Sequence, residues 1–395
     1  MKSKNLLGGE KVFDIPIMRA CILVLLFFFV LSATTVAAAA KTYEEYVSSL
    51  PAGCEPVPRE CFNQAVKEGQ LNIYDWAEWW PEELFTGFQK EFGIKIVRDN
   101  FANYDEALTK FRLYPNAPYD WWYGTPRQLT EAVAKGVLHE FNHSWIPNVN
   151  KYMREDAKNA KWAPGYKYFV NITLTPESYV INTRFIDKND PRIPSFKFVF
   201  EGGETYKGRL AVREDYLRVI GNTLKYLGYS VNSTDKKELM EAKKALMKLK
   251  PYIKTFDSWP KRAVMAEEIW IVMTTPNDYV PLDKEMGRGV FYACWPPEGC
   301  FLSPNGFMIP KGGGHPAAAH LWTNYIYRPD KCGLLIESIG FPCAHNAIDK
   351  YLSDYVRKWI TIPQEYVSKC EGIQPQAYTG EGEKLRAEIW EELKR

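Results

Sequence analysis

The segment Leu71–Val97 constrains the fold more than any other stretch of the chain. Leu71-Asn72-Ile73-Tyr74-Asp75 is a short apolar run of strand character, and it leads straight into the turn Trp76-Ala77-Glu78-Trp79-Trp80. Pro81 and an amphipathic helix follow, then a second strand-like run, Ile94-Lys95-Ile96-Val97. Strand, helix and strand in this order indicate an α/β fold. In an open α/β sheet, ligands bind beyond the carboxyl ends of the strands. Trp76, Glu78 and Trp79 therefore fall where a ligand would sit. Two indole faces and a carboxylate suit an alkyl ammonium group, the rings through cation–π contact and the acid through charge. The same turn also reads as a loop packed by its own aromatics, and the local residues do not separate the two readings.

The alternation continues along the chain. Tyr104–Phe111 has helical spacing, Tyr119–Tyr123 reads as a buried strand, and Thr130–Lys135 is a helix ending at Gly136. Tyr166–Leu174 and Ser178–Asn182 are extended. Gly208–Val212 is a strand that enters a helix through Arg213-Glu214-Asp215, with acids in its first turn where the helix dipole favours them. A lysine-rich helix starts near Thr234-Asp235 and stops before Pro251, and its charged face is a solvated one. Ile269–Met273 and Phe307–Pro310 are strands, and Pro316–Tyr327 is a helix. No internal repeat or low-complexity tract interrupts this order. The expected fold class is α/β with mostly parallel sheets and flanking helices.

Composition narrows the function. The chain has 395 residues and a formal net charge of +2, with 25% charged and 46% hydrophobic residues. That balance excludes a nucleic-acid surface and a disordered chain. The N-terminus reads as a secretory leader: Met18-Arg19, an apolar run from Ala20 to Leu31, then small residues ending at Ala37–Ala40. Cleavage is expected near Ala40, leaving residues 41–68 as a polar extension; a retained anchor is the alternative. Seven cysteines follow the leader. In an oxidising compartment, close spacing suggests Cys54 with Cys61 and Cys294 with Cys300, although connectivity does not follow from sequence.

One catalytic pattern stands out. His139-Glu140-Phe141-Asn142-His143 matches the zinc-protease signature, which needs a helix to put both imidazoles on one face and a third ligand downstream. The flanking Gly136-Val137-Leu138 and Ser144-Trp145-Ile146-Pro147 read as a strand end and a loop. No third-ligand motif accompanies His315, His320 or His345. Gly202-Gly203 and Gly312-Gly313-Gly314 lack the lysine and hydroxyl residue of a phosphate loop and read as turns.

The segment Leu71–Val97 resembles the start of the periplasmic spermidine/putrescine-binding proteins of ABC importers. So do Pro118-Tyr119-Asp120, Gly208–Leu210 with Asp215, Leu227–Asp235, Trp295–Gly299, Ile309-Pro310 and Ile339–Pro342. The resemblance runs from about residue 69 to about residue 360. It implies two α/β lobes that close on a ligand as a hinged clamp. It places residues 69–173 and 305–350 in the first lobe, and 174–304 and 351–395 in the second. Carried over position by position, the ligand set keeps Trp76, Glu78 and Trp79. A serine becomes Thr125, and the aromatic two residues on becomes Arg127. Of an acid pair, Asp215 is kept and Arg218 reverses the charge. A Trp and acid fall at Thr274 and Asn277, with Asp278 adjacent. A late acid becomes Asn305, with Ser303 where an aromatic is common, and a tyrosine becomes Phe341.

These departures change the charge logic. A buried ammonium needs paired acids, whereas arginine favours carboxylate or phosphate groups that it can hold bidentately. Arg127 and Arg218 thus point to a ligand with an anionic group, for example a zwitterion; alternatively they pair with Glu78 or Asp215 and fill the cleft. The expectation is a non-enzymatic, periplasmic or extracytoplasmic solute-binding protein, monomeric, without cofactor, metal or nucleic-acid partner. It would bind a small charged solute and deliver it to ABC permease subunits in the inner membrane. A secreted zinc hydrolase using His139 and His143, or a sensory binding protein without a transporter, are the alternatives.

Overall fold

The computed structural model describes residues 41–77, 79–101 and 103–395. The leader reading, residues 1–40, lies outside the described residues. The strands are β1 (Gln70–Trp76), β2 (Lys95–Phe101), β3 (Trp121–Gly124), β4 (Leu138–His139), β5 (Val170–Pro176), β6 (Ser178–Asn182), β7 (Leu210–Val212), β8 (Ile253–Phe256), β9 (Ile271–Thr274), β10 (Phe291–Cys294), β11 (Phe301–Pro310) and β12 (Glu371–Gly372). The helices that matter for the site are α1 (Glu82–Phe92), α2 (Tyr104–Leu113), α3 (Pro126–Ala134), α4 (Tyr216–Tyr226), α5 (Lys236–Leu249), α6 (Pro316–Ile326), α7 (Pro329–Ile339) and α8 (Gly380–Lys394).

Two sheets build two lobes. The first has the order β12-β11-β3-β1-β2, with β4 and β5 also paired to β11; the second has the order β10-β6-β9-β7-β8. β1 lies parallel to both β2 and β3, as the strand–helix–strand reading requires. Its buried Leu71, Ile73 and Tyr74, with Trp121–Tyr123 of β3, are covered on both faces by helices. α1 follows the 3.6-residue period and buries Leu84, Phe85, Phe88 and Phe92 against this core. The second core gathers Leu210, Val212, Ile220, Leu224, Leu246 and Ile271, and α8 seals it with Ile389, Trp390 and Leu393.

The sheets are mixed rather than mostly parallel. β11 runs antiparallel to β3, β4 and β5, and β6 runs antiparallel to β9 and β10. The cause is the long pair β5/β11, which passes from one lobe to the other. At its far end, Phe301 packs with Leu217 of α4 and its N–H donates to Asn222. β11 is also longer than the Phe307–Pro310 strand read from the sequence, because pairing with β5 extends it back to Phe301.

The cysteine pairing differs as well. The disulfide joins Cys300 to Cys370, while Cys54, Cys61, Cys294, Cys332 and Cys343 are free. Strand register explains this: Phe301 pairs with Glu371, so the residues just before them meet. Cys61 instead faces a core carbonyl of Ala317, and Cys54 lies beside Asp330. The zinc-protease pattern is not helical. His139 ends β4, Glu140 pairs with Lys167, and His143 opens a 3₁₀ turn and stacks on Tyr166 at 4.1 Å. Among the described residues, no group of His, Cys, Asp or Glu is placed to hold a metal ion.

Candidate functional site

β1 ends at Trp76, and the turn beyond it opens on the space between the lobes. A cavity of about 480 Å³ lies there, walled by Trp76, Trp79, Tyr104, Trp259 and Phe341, with Asp278 and Glu177 among its polar lining. The Trp76 ring sits 5.0 Å from Tyr104, and Trp79 sits 4.5 Å from Phe341. Trp76 and Trp79, the indoles that the strand-to-turn pattern singles out, both line this cavity. Glu78, between the two indoles in sequence, lies outside the described residues.

The charged floor comes from the second lobe and from the lobe junction. Asp215 caps α4, accepting the N–H groups of Leu217 and Arg218. One turn on, Arg218 donates to Asp215 at 2.8 Å, lies 3.0 Å from a Glu177 oxygen through Nε, and donates to Ser303 at 2.7 Å. Arg213, just past β7, donates to Asp278 at 3.1 Å and to the hydroxyls of Thr274 and Thr275, and lies 3.8 Å from Glu177. Glu177 also accepts from Thr275 at 2.8 Å. Three carboxylates, Glu177, Asp215 and Asp278, thus surround two guanidinium groups, Arg213 and Arg218. Burial works against the Arg218 charge, but Glu177 and Asp215 beside it hold its pKa above the ordinary arginine value. Burial pushes the Asp278 carboxyl up to about 6, with Glu177 reinforcing the shift and Arg213 opposing it.

The remaining expected residues separate into cleft and support. Asn305 lines the cavity, accepts from the Tyr104 hydroxyl at 2.7 Å and donates to Thr173 and Thr175. Thr274 and Asn277 do not reach the cavity. Thr274 is buried beneath Arg213 and Asp278, and the Asn277 amide donates to the carbonyls of Gly340 and Trp359. Asp278, the adjacent residue, is the acid that faces the cleft. Thr125 caps α3 with Gln128 and lines a second cavity, of about 570 Å³, on the far side of Arg218. Arg127 lines it too, donating to Asp105 at 2.7 Å and to Glu383 of α8 at 2.8 Å. Neither arginine is a bare anion hook, since the protein's own carboxylates take their N–H groups.

Glu177, Arg213, Tyr104 and Trp259 were not among the expected site residues. Glu177 had one visible signal: it is a lone acid between two extended runs, where β5 passes into β6.

The matched family and the fold agree. A model of the bacterial extracellular solute-binding proteins matches residues 83–359, well over half of the chain. The chain belongs to that family. A spermidine/putrescine-binding periplasmic protein of Escherichia coli (strain K12) is 26% identical over 287 residues, covering 72% of this chain and 80% of its own length. A putrescine/agmatine-binding protein of Pseudomonas aeruginosa is 25% identical over 354 residues, covering 82% of this chain and 91% of its own. A solved structure of a spermidine/putrescine ABC transporter protein from Listeria monocytogenes aligns with TM-score 0.72 at 20% identity, over 82% of this chain and 99% of that one. As in other extracellular solute-binding proteins of ABC importers, the cleft between the lobes serves a small solute, and the work is done with membrane permease subunits. No helix among the described residues is long and apolar enough to cross a membrane.

Proposed function

We propose that this solute-binding protein captures a small amine-bearing solute between its lobes, outside the cytoplasmic membrane, and passes it as a monomer to its permease without chemical change. A leader removed near Ala40 would bring it there. One observation carries the choice of ligand: five aromatic side chains and the Glu177 and Asp278 carboxylates line one cavity, while Arg213, Arg218 and Lys261 beside them are already paired with the protein's own acids. The five aromatic side chains supply cation–π faces for an ammonium group, and the carboxylates supply acceptors for its N–H groups. An anion would have to compete with Glu177, Asp215 and Asp278 for N–H groups already engaged. The amine ligands named for the curated relatives support the same class.

A thermal-shift screen of the purified protein tests this, with putrescine, spermidine, amino acids, small carboxylates and phosphonates. A ligand at ~100 times its dissociation constant stabilises by about 2.7 kcal/mol. A shift with amines is expected. A shift with carboxylates or phosphonates and none with amines would overturn the reading.

A further inference from the structure

The space between the lobes is divided. The aromatic cavity of about 480 Å³ and the second cavity of about 570 Å³ share a wall made by Trp76, Tyr104, Arg213, Arg218, Ser258 and Ser303. Arg218 is its keystone. It reaches from α4 in the second lobe to Ser303 on β11, and its guanidinium faces the Tyr104 ring of the first lobe at 5.5 Å from the centroid. Two of its nitrogens donate, Nη1 to Asp215 and Nη2 to Ser303, and Nε lies within ion-pair distance of Glu177 at 3.0 Å without a hydrogen bond of its own. Swinging it aside would leave the Glu177 carboxylate, which is 1% exposed, without its nearest cation. The side chain is therefore a fixed partition and not a flexible rim group.

We infer that Arg218 sets ligand length: it confines the solute to the aromatic chamber, which takes a short alkyl amine or diamine, and it refuses a linear triamine that would have to pass the wall. The inference rests on the amine reading above. Two effects act together. The guanidinium fills the passage, and its charge repels a second ammonium arriving at the wall. It also pairs with Glu177, while Arg213 pairs with Asp278, so both carboxylates lining the aromatic chamber are shared with an arginine. The second chamber, lined by Asp105, Asp215 and Tyr216, has acid and aromatic groups of its own that the partition isolates.

The test is a calorimetric series on the full protein with butylamine, putrescine, spermidine and spermine. The wild-type protein is expected to bind putrescine about tenfold or more tightly than spermidine. Arg218→Ala joins the chambers and releases Glu177 and Asp215, and the ratio of spermidine to putrescine affinity is expected to rise by about tenfold or more. Arg218→Met keeps most of the bulk without the charge, and its smaller rise separates filling from repulsion. Should the alanine variant fail to fold, the wild-type series still decides. Spermidine binding as tight as putrescine, or an unchanged ratio in a folded variant, would overturn the partition and leave the amine reading standing. Absence of binding by every amine would overturn both.

Discussion

Asp278 is the residue through which pH acts on the cleft. Burial and the neighbouring Glu177 charge raise its carboxyl to about 6, although Arg213 works the other way. An alkyl ammonium keeps its charge far above this value, so only the protein side titrates. Above about pH 6 the carboxylate is ionised and can hold the amine; below it the group is neutral, and affinity should fall by about tenfold per pH unit. Stability has the opposite sign. The folded state holds this proton more tightly than the unfolded chain, so the contribution favours the fold in acid and is lost as pH rises through about 6. Titrating a bound amine by calorimetry at about pH 5, 6 and 7.5 checks the binding slope. Asp278→Asn should flatten it, and a slope that survives the substitution would assign the titration elsewhere. Asp278 was legible in the sequence as the acid beside Asn277. Glu177 was not, because its meaning comes from Arg213, Arg218 and Thr275, which reach it from separate elements. Arg218 was legible as a cleft residue, but its partners decide what it does, and those partners are tertiary.

At the level of elements, the end of α7 ties several site positions together. The helix stops at Gly340, whose φ of +70° is left-handed, and a Cβ there would stand 2.6 Å from Val280. The Gly340 carbonyl accepts the Asn277 amide at 2.7 Å, and the next residue, Phe341, is held against Trp79. Gly340→Ala would add backbone strain of about 1–2 kcal/mol and overpacking of about 1–3 kcal/mol. A loss of about 2–5 kcal/mol by chemical denaturation is expected from the two together. An unchanged denaturation midpoint would show that the helix end is loose and that Phe341 is not fixed through it. The strands β1, β3, β6 and β7 were readable locally, because apolar runs carry their own signal, whereas α7 and its end at Gly340 were not read in the sequence. β11 was only half readable. Ser303-Pro304-Asn305-Gly306 are turn-forming residues, and it is pairing with β5, with a register shift at Asn305/Gly306, that makes them strand. The Cys300–Cys370 bond was hidden for the same reason, since it follows from the β11/β12 register.

Across the whole molecule, the lobes are joined by more than the β5/β11 pair. Arg127 of α3 donates to Glu383 of α8, and its guanidinium lies 5.7 Å from the Tyr216 ring centroid of the second lobe. Thr130 of the same helix shares a hydrogen bond of 2.9 Å with Tyr378. α8 packs on the second core, so these are contacts between lobes across the cleft. A contact made only when the lobes meet favours the closed state, and it raises ligand affinity by the amount it shifts that population. Arg127 side-chain exposure is 13% and that of Glu383 is 31%, so the pair is partly screened. Its loss in Arg127→Ala is expected to weaken binding by about three- to fivefold, toward the upper end of what partly exposed pairs contribute. Direct ligand contact by Arg127 would predict a similar loss, so the partner residue separates the two roles. If Arg127 acts as a latch, Glu383→Gln weakens binding to a comparable degree, and the double variant is no weaker than either single one, because both remove the same interaction. Small-angle scattering should show the ligand-free Arg127→Ala protein with a larger radius of gyration. Full affinity in Glu383→Gln alongside a loss in Arg127→Ala would instead make the arginine a ligand group, and the closed state would then depend on the solute and not on this bridge.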